Sequence, residues 1–453
     1  MRKFQALSLS AALLASLLLG GCANNAASSD AASSDSAASE PEATPEPTPA
    51  PPAANPLTGA ADADYTGKRP VAVTLRNMTG STPQWGIASA DVLVEGVTEG
   101  TTASLMALYA NPDSIAKAGP VGPARDLLLQ VALPLNAVPV HIDKNIYASN
   151  LLNTLAYQDL DGYHIGKTAF AFDQDRQNAG YAEENCWYTT AELINSGLAS
   201  YGVSLNGDNT PLFQFGERPA VDPADRSGMN LTITFSPDDI DCLNYDTGTG
   251  LYALSNGDGS PVQDADNGQQ VGFTNVFVFY ASSGIKDDGY TRQYDMTAGT
   301  GLYLHGGAWE RINWTKEDAT GPFVITNEAG ETLVVSQGKS FIAIWGGYYG
   351  QSLSLTAADG SAQTLPDKPA LLESGIPDDA AAAAEAEYKA AQEATNAQAE
   401  LPDAQTALEE AQAALDADPE NQDLITARDN AQANVDALTA ILAAAEQQDG
   451  QAE

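Results

Sequence analysis

Cysteine and histidine are both scarce in this chain, which has three of each among its 453 residues. So few cysteines exclude a disulfide-dense scaffold, and the histidines show no spacing typical of a metal site. Basic residues are also few, with 20 Lys and Arg against 60 Asp and Glu, so the formal net charge is −40. Because nucleic-acid binding needs clustered positive charge, we expect no nucleic-acid partner. No motif indicates a metal or a cofactor, and we expect neither.

The first 21 residues have the pattern of a bacterial lipoprotein signal peptide. Arg2 and Lys3 precede an apolar stretch over residues 7–19, which is shorter than the ~20 residues that a membrane-spanning helix needs. Leu19-Gly-Gly-Cys22 follows and is similar to the lipobox, in which the cysteine thiol receives a diacylglycerol before cleavage. Cys22 is therefore the predicted lipidation site, with palmitate among the expected acyl groups. The alternative is an ordinary secretory signal with a chance cysteine.

Composition divides the rest of the chain into four parts. Residues 22–55 are mostly Ala, Ser and Pro, which predicts a disordered tether. Residues 56–218 alternate strand-like and helix-like segments, which predicts an α+β or α/β domain. Residues 219–350 contain short apolar runs between Gly, Asn and Asp turns, which predicts mainly antiparallel sheet. Residues 377–448 are rich in Ala, Glu and Gln and predict an acidic helical hairpin.

The predicted hairpin has a thin apolar seam. Leu401, Leu408 and Leu415 recur every seven residues, and Leu424 and Leu438 continue the spacing in the second helix. This spacing is typical of a coiled coil, although the seam is poor in large side chains. Two interpretations stay open: a solvated tail, or a coiled coil that binds a protein partner.

Several segments of the first domain have clear secondary-structure signals. The expected strands are 69–75, 90–99, 103–109 and 137–142, and the expected helices are 124–133 and 145–157. Thr189-x-x-Glu192 has the pattern of a capping box and predicts a further helix that ends near Gly202.

Both predicted domains contain a series of short motifs, each occurring once along the chain. They are Arg69-Pro-Val-Ala-Val73, Asn77, Pro83-Gln84, Gly86, Ala90-Asp-Val92, Glu95, Glu99, Gly119-Pro-Val121, Ala124-Arg125, Val140-His141, Tyr252, Asn275-Val276, Gly299-x-Gly301, Gly307-x-Trp309, Trp314-x-Lys316 and Gly338-x-x-Phe341. Their order resembles the YerB-type lipoproteins, a bacterial family defined by domains of unknown function. The resemblance covers about 55–347 and brings no established activity.

The resemblance also implies a place in the cell and a fold. It implies a lipid-anchored surface protein at the extracytoplasmic face of the cell membrane. Its N-terminal domain would be α+β, with a three-layer sandwich as one form, and its C-terminal domain would be β-rich. It further implies basic residues where this chain has Met78, Thr82, Ser104 and Gly122. Their absence argues against a site for an anion.

Five polar residues of the first domain form the candidate ligand cleft. They are Asn77, Glu95, Glu99, Arg125 and His141. On a regular strand Glu95 and Glu99 share a face about 13 Å apart, which is too far for the paired carboxylates of a glycosidase. A bend at Gly96 would bring them closer.

Each of these residues also has a structural interpretation. The two glutamates can be solvated, and Arg125 can form an ion pair with either of them instead of binding an anion. His141 ends an apolar strand, where it can act as a general base or as a hydrogen-bonded scaffold residue. For Asn77, a role in the turn after the strand is the preferred interpretation, and contact with a ligand is the second one. We assign no catalytic residue from the sequence.

The two remaining cysteines leave further alternatives. Cys186 and Cys242 can pair or stay free, because sequence does not fix the distance between them. A nucleophilic Cys186 is disfavoured, since no cysteine-protease signature surrounds it.

Two functional hypotheses follow. The first is a lipid-anchored extracytoplasmic binding or scaffold protein without catalysis. The alternative is a cell-envelope hydrolase that uses acidic residues of the N-terminal domain.

Replacing Cys22 should abolish lipid attachment, because only its thiol has the lipobox position. We expect Cys22→Ser, expressed as the full chain in a Gram-positive host, to lose metabolic labelling by an alkyne fatty acid. Cys186→Ser is the matched control and should keep the label. Equal labelling of Cys22→Ser and the wild type would contradict the prediction.

Overall fold

The protein is described by a computed structural model, which covers residues 53–208, 210–217, 226–348, 350–372 and 378–449. The predicted signal peptide, Cys22 and nearly all of the predicted tether lie outside the described residues. The division proposed between 218 and 219 also falls on residues outside them.

The first part of the chain mixes short helices with strands. The strands are β1 (Val71–Leu75), β2 (Val92–Glu99), β3 (Thr102–Tyr109), β4 (Val138–His141), β5 (Leu160–Asp161), β6 (Ala171–Phe172), β7 (Trp187–Tyr188) and β8 (Gln214–Phe215). The helices are α1 (Asp126–Ala132), α2 (Ile146–Thr154), α3 (Gly162–Ile165), α4 (Gln174–Asn178) and α5 (Ala191–Tyr201). Short 3₁₀ turns lie at Pro112–Ser114, Leu133–Leu135, Gly166–Thr168 and Glu183–Asn185.

The second part is almost entirely strands. They are β9 (Asn230–Ser236), β10 (Asp239–Asp246), β11 (Leu251–Asn256), β12 (Gly272–Phe273), β13 (Asn275–Tyr280), β14 (Ser283–Ile285), β15 (Arg292–Tyr294), β16 (Ala298–His305), β17 (Ala308–Thr315), β18 (Val324–Asn327), β19 (Val334–Val335), β20 (Ser340–Trp345) and β21 (Ser352–Thr356). Two long helices follow, α6 (Asp378–Ala417) and α7 (Gln422–Asp449). The predicted fold class is confirmed: a mixed N-terminal part, a strand-rich C-terminal part and a helical hairpin.

One large sheet uses strands from both parts. Within the described residues its order is β18-β17-β16-β13-β20-β2-β3-β1-β4-β5, ten strands in all. β20 lies between β13 and β2 and is parallel to both. The hydrogen-bonded ladder therefore runs without a break from one half of the chain to the other.

The two faces of this central sheet bury different partners, because side chains alternate along each strand. On one face Val92, Val94 and Ile342 pack with Leu127 and Leu128 of α1. The opposite face packs against a five-stranded sheet, ordered β12-β11-β10-β9-β21, and against α5. Apolar residues of this second layer include Leu231, Ile233, Phe235, Leu243, Tyr252, Leu254, Ile194 and Leu198.

The capping residue of α5 differs from the prediction. Thr190, not Thr189, is the N-cap, and its hydroxyl accepts a hydrogen bond from the Leu193 amide. The Thr189 hydroxyl instead donates to the Ala169 carbonyl at 2.8 Å, in the core. Only Thr189 has a glutamate three residues later, but it is fully buried and its hydroxyl is used in the core, so the neighbouring Thr190 caps the helix. The helix ends at Gly202, which has a positive φ of 65°.

The hairpin of α6 and α7 is held by small apolar contacts. Ala397, Ala404 and Leu438 are buried, and Leu401 and Val435 pack beside them. Asn421 caps α7 by accepting hydrogen bonds from the amides of residues 423 and 424. The binding of a protein partner by this hairpin stays a prediction. Among the described helices, none combines the length and apolar character needed to cross a bilayer.

Ile342→Ala should destabilise both halves together. Ile342 is fully buried in β20, where it pairs with Val94 of β2 and Phe277 of β13. We expect a loss of about 2–5 kcal/mol in the free energy of unfolding, measured by urea denaturation of the full chain. Val324→Ala, at a side chain that is 53% exposed, should change it by no more than about 0.5 kcal/mol.

The same experiment tests whether the two halves, which share the central sheet, unfold together in a single transition. A second transition that Ile342→Ala leaves in place would show that they unfold independently.

Candidate functional site

Three carboxyl groups meet between the central sheet and the five-stranded sheet. Glu95 projects from β2, and Asp239 and Asp241 project from the start of β10. One oxygen from each group lies within 4.8 Å of one oxygen from each of the other two. Glu95 and Asp241 are buried and Asp239 is partly buried. We call these three residues the acidic triad.

The strands explain why Glu95 faces the second layer. In β2, Leu93 and Val97 belong to the core between the two sheets, and Glu95 lies between them on the same face. Its register partner on β3 is Leu105, another residue of that core. The acidic triad therefore interrupts an apolar layer.

In the loop after β1, the amide side chain of Asn77 contacts Glu95, and a second amide orients Asn77. Asn77 Nδ2 donates to Glu95 Oε1 at 2.6 Å, and Gln84 Nε2 donates to Asn77 Oδ1 at 2.7 Å. The loop itself is fixed by Arg176, which donates to the carbonyls of Ser81 and Pro83. The amide of Asn77 is thus oriented before any ligand arrives.

The acidic triad lines a cavity of about 510 Å³. Amide side chains also line it, namely Asn77, Gln84, Asn256 and Gln263. The apolar part of its wall consists of aliphatic side chains and Met78. Among the described residues that form this wall, none is lysine, arginine or aromatic. The cavity therefore combines negative charge with no positive side chain of its own.

Burial changes the ionisation of the acidic triad. Burial, together with the neighbouring charge of Asp239, raises the pKa of Asp241 to about 7. Burial raises the pKa of Asp239 to about 6. Burial and the charges of both aspartates raise the pKa of Glu95 well above its ordinary value. The raised pKa values favour protonation of these groups close to neutral pH, and a positive charge beside them would favour ionisation instead.

Glu99 lies in a separate contact set. The ladder between β2 and β3 shifts register between Val97 and Glu99, so the chain does not keep simple alternation up to Glu99. Arg125 contacts it twice, with Nε at 2.5 Å from Oε1 and Nη2 at 2.9 Å from Oε2. Asn145 donates to the same carboxylate at 3.5 Å. This paired geometry is that of a structural ion pair at the start of α1.

His141 belongs to a third contact set. Its Nε2 lies 2.9 Å from Asp159 Oδ2, and its Nδ1 lies 2.9 Å from the Asp143 carbonyl. Lys144 Nζ donates to Asp159 at 2.9 Å and to Asp161 at 3.0 Å. Although burial opposes it, these hydrogen bonds lower the pKa of Asp159 to about 2. The carboxylates here already have a cation supplied by the chain.

The five residues predicted for the cleft thus fall into different contact sets. Asn77 and Glu95 meet in the acidic triad's cavity, Glu99 and Arg125 pair with each other, and His141 joins Asp159. Sequence reasoning missed Asp239 and Asp241. Their only signal was a pair of acids at alternate positions in Asp239-Ile-Asp-Cys-Leu243, which resembles a solvated turn more than a buried strand.

The two described cysteines are free thiols. Cys186 is buried, and its Sγ lies 3.3 Å from the Ala182 carbonyl. Cys242 is partly buried in β10. Neither lines the cavity of the acidic triad.

Two family models match the chain. One, described as the N-terminal domain of a protein of unknown function (DUF3048), matches residues 57–204. The other, the C-terminal domain of the same family, matches residues 231–342. The chain belongs to the DUF3048 family. The acidic triad of this DUF3048 protein uses both matched regions, since Glu95 lies in the first and both aspartates lie in the second.

Comparison with individual proteins gives related results. The DUF3048 chain is 26% identical over 300 residues to "Putative lipoprotein YerB" of Bacillus subtilis (strain 168), covering 64% of this chain and 85% of the relative. The crystal structure of the YerB protein from Bacillus subtilis superposes with a TM-score of 0.59 at 24% identity. The superposition covers 66% of this chain and 99% of the YerB chain. This similarity shows a shared fold. The resemblance to YerB-type proteins is confirmed.

Asp241→Asn should remove part of the pH dependence of stability. Because the folded-state pKa of Asp241 is raised to about 7 from 3.8, the folded protein binds more protons than the unfolded chain between about pH 4 and pH 7. The stabilisation of the folded state that comes from proton binding by Asp241 is therefore lost as pH rises through that window. The stability of Asp241→Asn relative to wild type should increase with pH, by at most about 1.4 kcal/mol per unit.

Urea unfolding from pH 4 to 8 in buffer with a chelator measures this difference. Asp246→Asn, at the exposed far end of β10, is the control and should show no such trend. A constant difference between Asp241→Asn and wild type across the window would contradict the raised pKa.

Proposed function

We propose that this protein is a lipid-anchored, non-catalytic binding protein at the extracytoplasmic face of the cell membrane, with a positively charged ligand in the cavity of the acidic triad. The main support for a binding function is the acidic wall of that cavity, which has no lysine or arginine among its described residues. A ligand with positive charge would neutralise carboxyl groups that burial otherwise forces to keep protons.

The anchoring part of the proposal is supported from two sides. Leu19-Gly-Gly-Cys22 has the lipobox pattern. The related Bacillus subtilis protein is described by name as a lipoprotein. An anchor at Cys22 followed by a tether over 22–55 would hold the folded body close to the membrane, outside the cytoplasm.

The alternative, a cell-envelope hydrolase, has one observation in its favour. A carboxyl group whose pKa is raised to about 7 can act as a general acid near neutral pH. Glycosidases, however, place two carboxyl groups on opposite sides of the substrate, about 5–9.5 Å apart. Here one oxygen from each of the three groups lies within 4.8 Å of the others, and the described wall has no aromatic side chain on which a sugar ring can stack.

A cationic probe should stabilise the folded protein, since a ligand that binds only the native state raises Tm. We expect putrescine or CaCl₂ at millimolar concentration to raise the Tm of the detergent-solubilised full chain at neutral pH. Asp246→Asn should respond like wild type, and Asp241→Asn should respond weakly. No Tm change with either probe would contradict the binding function.

The same preparations separate binding from catalysis. Incubated with purified cell walls, the wild-type chain should release no soluble fragments. Release of fragments that Asp241→Asn fails to produce would contradict the proposal and favour the hydrolase.

A further inference from the structure

We propose that the acidic triad is the ligand set of a site for one hard divalent cation of the size of Ca²⁺. This inference rests on the proposed function, because it specifies the positively charged ligand of the same cavity.

The spread of the oxygens fits one coordination sphere. Ca²⁺ binds oxygen at about 2.3–2.6 Å, so ligands on opposite sides of the ion lie about 4.6–5.2 Å apart. One oxygen from each of Glu95, Asp239 and Asp241 lies within 4.8 Å of the others, so that one ion of this kind can contact all three.

A second observation points to a missing partner at this place. Asp241 is only 7% exposed, and its buried Oδ2 receives no hydrogen bond from an N–H or hydroxyl donor of the described residues. Its side chain interacts instead with the carboxyl group of Glu95, a hydrogen bond that requires a shared proton. A buried carboxylate oxygen without a donor is costly. Because Asp241 lines the cavity, a cation placed there would satisfy that oxygen and offset its charge.

The cavity suits a metal ion better than an organic amine. Sites for alkylated ammonium groups enclose them with aromatic faces, and the described wall has none. A single ammonium group would bring one positive charge to the three carboxyl groups, whereas a divalent ion brings two to one point.

The second cluster of acids in the molecule provides a contrast. Asp159 and Asp161 also lie near His141 with oxygens suitable for a metal. There, however, Lys144 Nζ contacts both carboxylates at 2.9 and 3.0 Å. In the acidic triad the corresponding partner is an amide, Asn77, which brings no charge.

Further ligands for the cation are available in the same wall. Asn256 and Gln263 line the cavity and carry amide oxygens, which Ca²⁺ accepts together with water to reach six to eight ligands. Glu95 comes from the first matched region and the aspartates from the second, so the bound ion would bridge the two halves of the chain.

The test is equilibrium dialysis of the detergent-solubilised, chelator-treated full chain against radioactive Ca²⁺ at physiological ionic strength, which screens the surface charge. We expect saturable binding of one ion per chain with Kd of about 10⁻⁴–10⁻³ M, as in extracellular calcium modules. Asp241→Asn and Glu95→Gln should each weaken it at least tenfold, about the loss that even outer-shell partners produce. Asp246→Asn should stay within about twofold of wild type, since an exposed acid adds little.

Three outcomes would overturn the inference. Equal binding by all four proteins would show that Ca²⁺ associates only with the acidic surface. Binding of putrescine but not of Ca²⁺, with loss in Asp241→Asn, would reject the metal site and retain the proposed function. Binding of neither probe would reject both.

Discussion

The pairing of β20 with β2 is the constraint on which the rest of the structure depends. It inserts a strand from residue 340 onward beside a strand that begins at residue 92, parallel and in register over five pairs from Val92–Ser340 to Gly96–Ile344. Loop contacts extend the junction: the Ser340 amide donates to the Asp91 carbonyl, and Lys339 Nζ donates to the Ala88 carbonyl. Because of this junction, the five-stranded sheet lies over β2, and Asp239 and Asp241 face Glu95.

A cluster of acids between two sheets lowers stability unless something compensates for it. The surrounding positions hold Leu93, Leu105 and Leu254, and apolar side chains at the triad's positions would pack there without a desolvation penalty. Sites that carry a cost of this kind are where local rules are broken for function. The ion pair of Glu99 with Arg125 differs, since each charge there has its partner within the chain. The acidic triad lacks a positively charged partner among its described contacts, and this difference is the reason that we propose a binding role for the triad and a structural role for the ion pair.

Much of the fold could be predicted because hydrophobic periodicity is strong where a strand is buried on both faces. The segments at β1, β2 and β3 are apolar runs, and α5 carries a threonine cap and a terminal glycine. β10 has no comparable signal, since Asp239-Ile-Asp-Cys-Leu-Asn-Tyr-Asp246 places acids where the pattern of a half-buried strand requires apolar residues. The signal of β17 is weak for a similar reason, because Glu310, Arg311 and Asn313 lie between its two tryptophans.

The site itself could be predicted only in part. Asn77 was identified as a polar residue after the first strand and Glu95 as a polar residue within the second, and the two do form a hydrogen bond. Their acidic companions are more than 140 positions away in the chain, and no local spacing encodes a contact made through strand pairing between two halves. The bulge before Glu99 is likewise invisible to a count of residues, so the sequence grouped Glu95 with Glu99 although they contact different partners. Distances between titratable side chains decided which acids form a site.

The most direct test of the account is a crystal structure of the protein soaked in calcium, with data collected at long wavelength. We expect an anomalous peak from one calcium ion, with an oxygen of each of Glu95, Asp239 and Asp241 within about 2.6 Å of it. A map with the three carboxyl groups joined only by hydrogen bonds to one another, and no peak between them at saturating calcium, would contradict it.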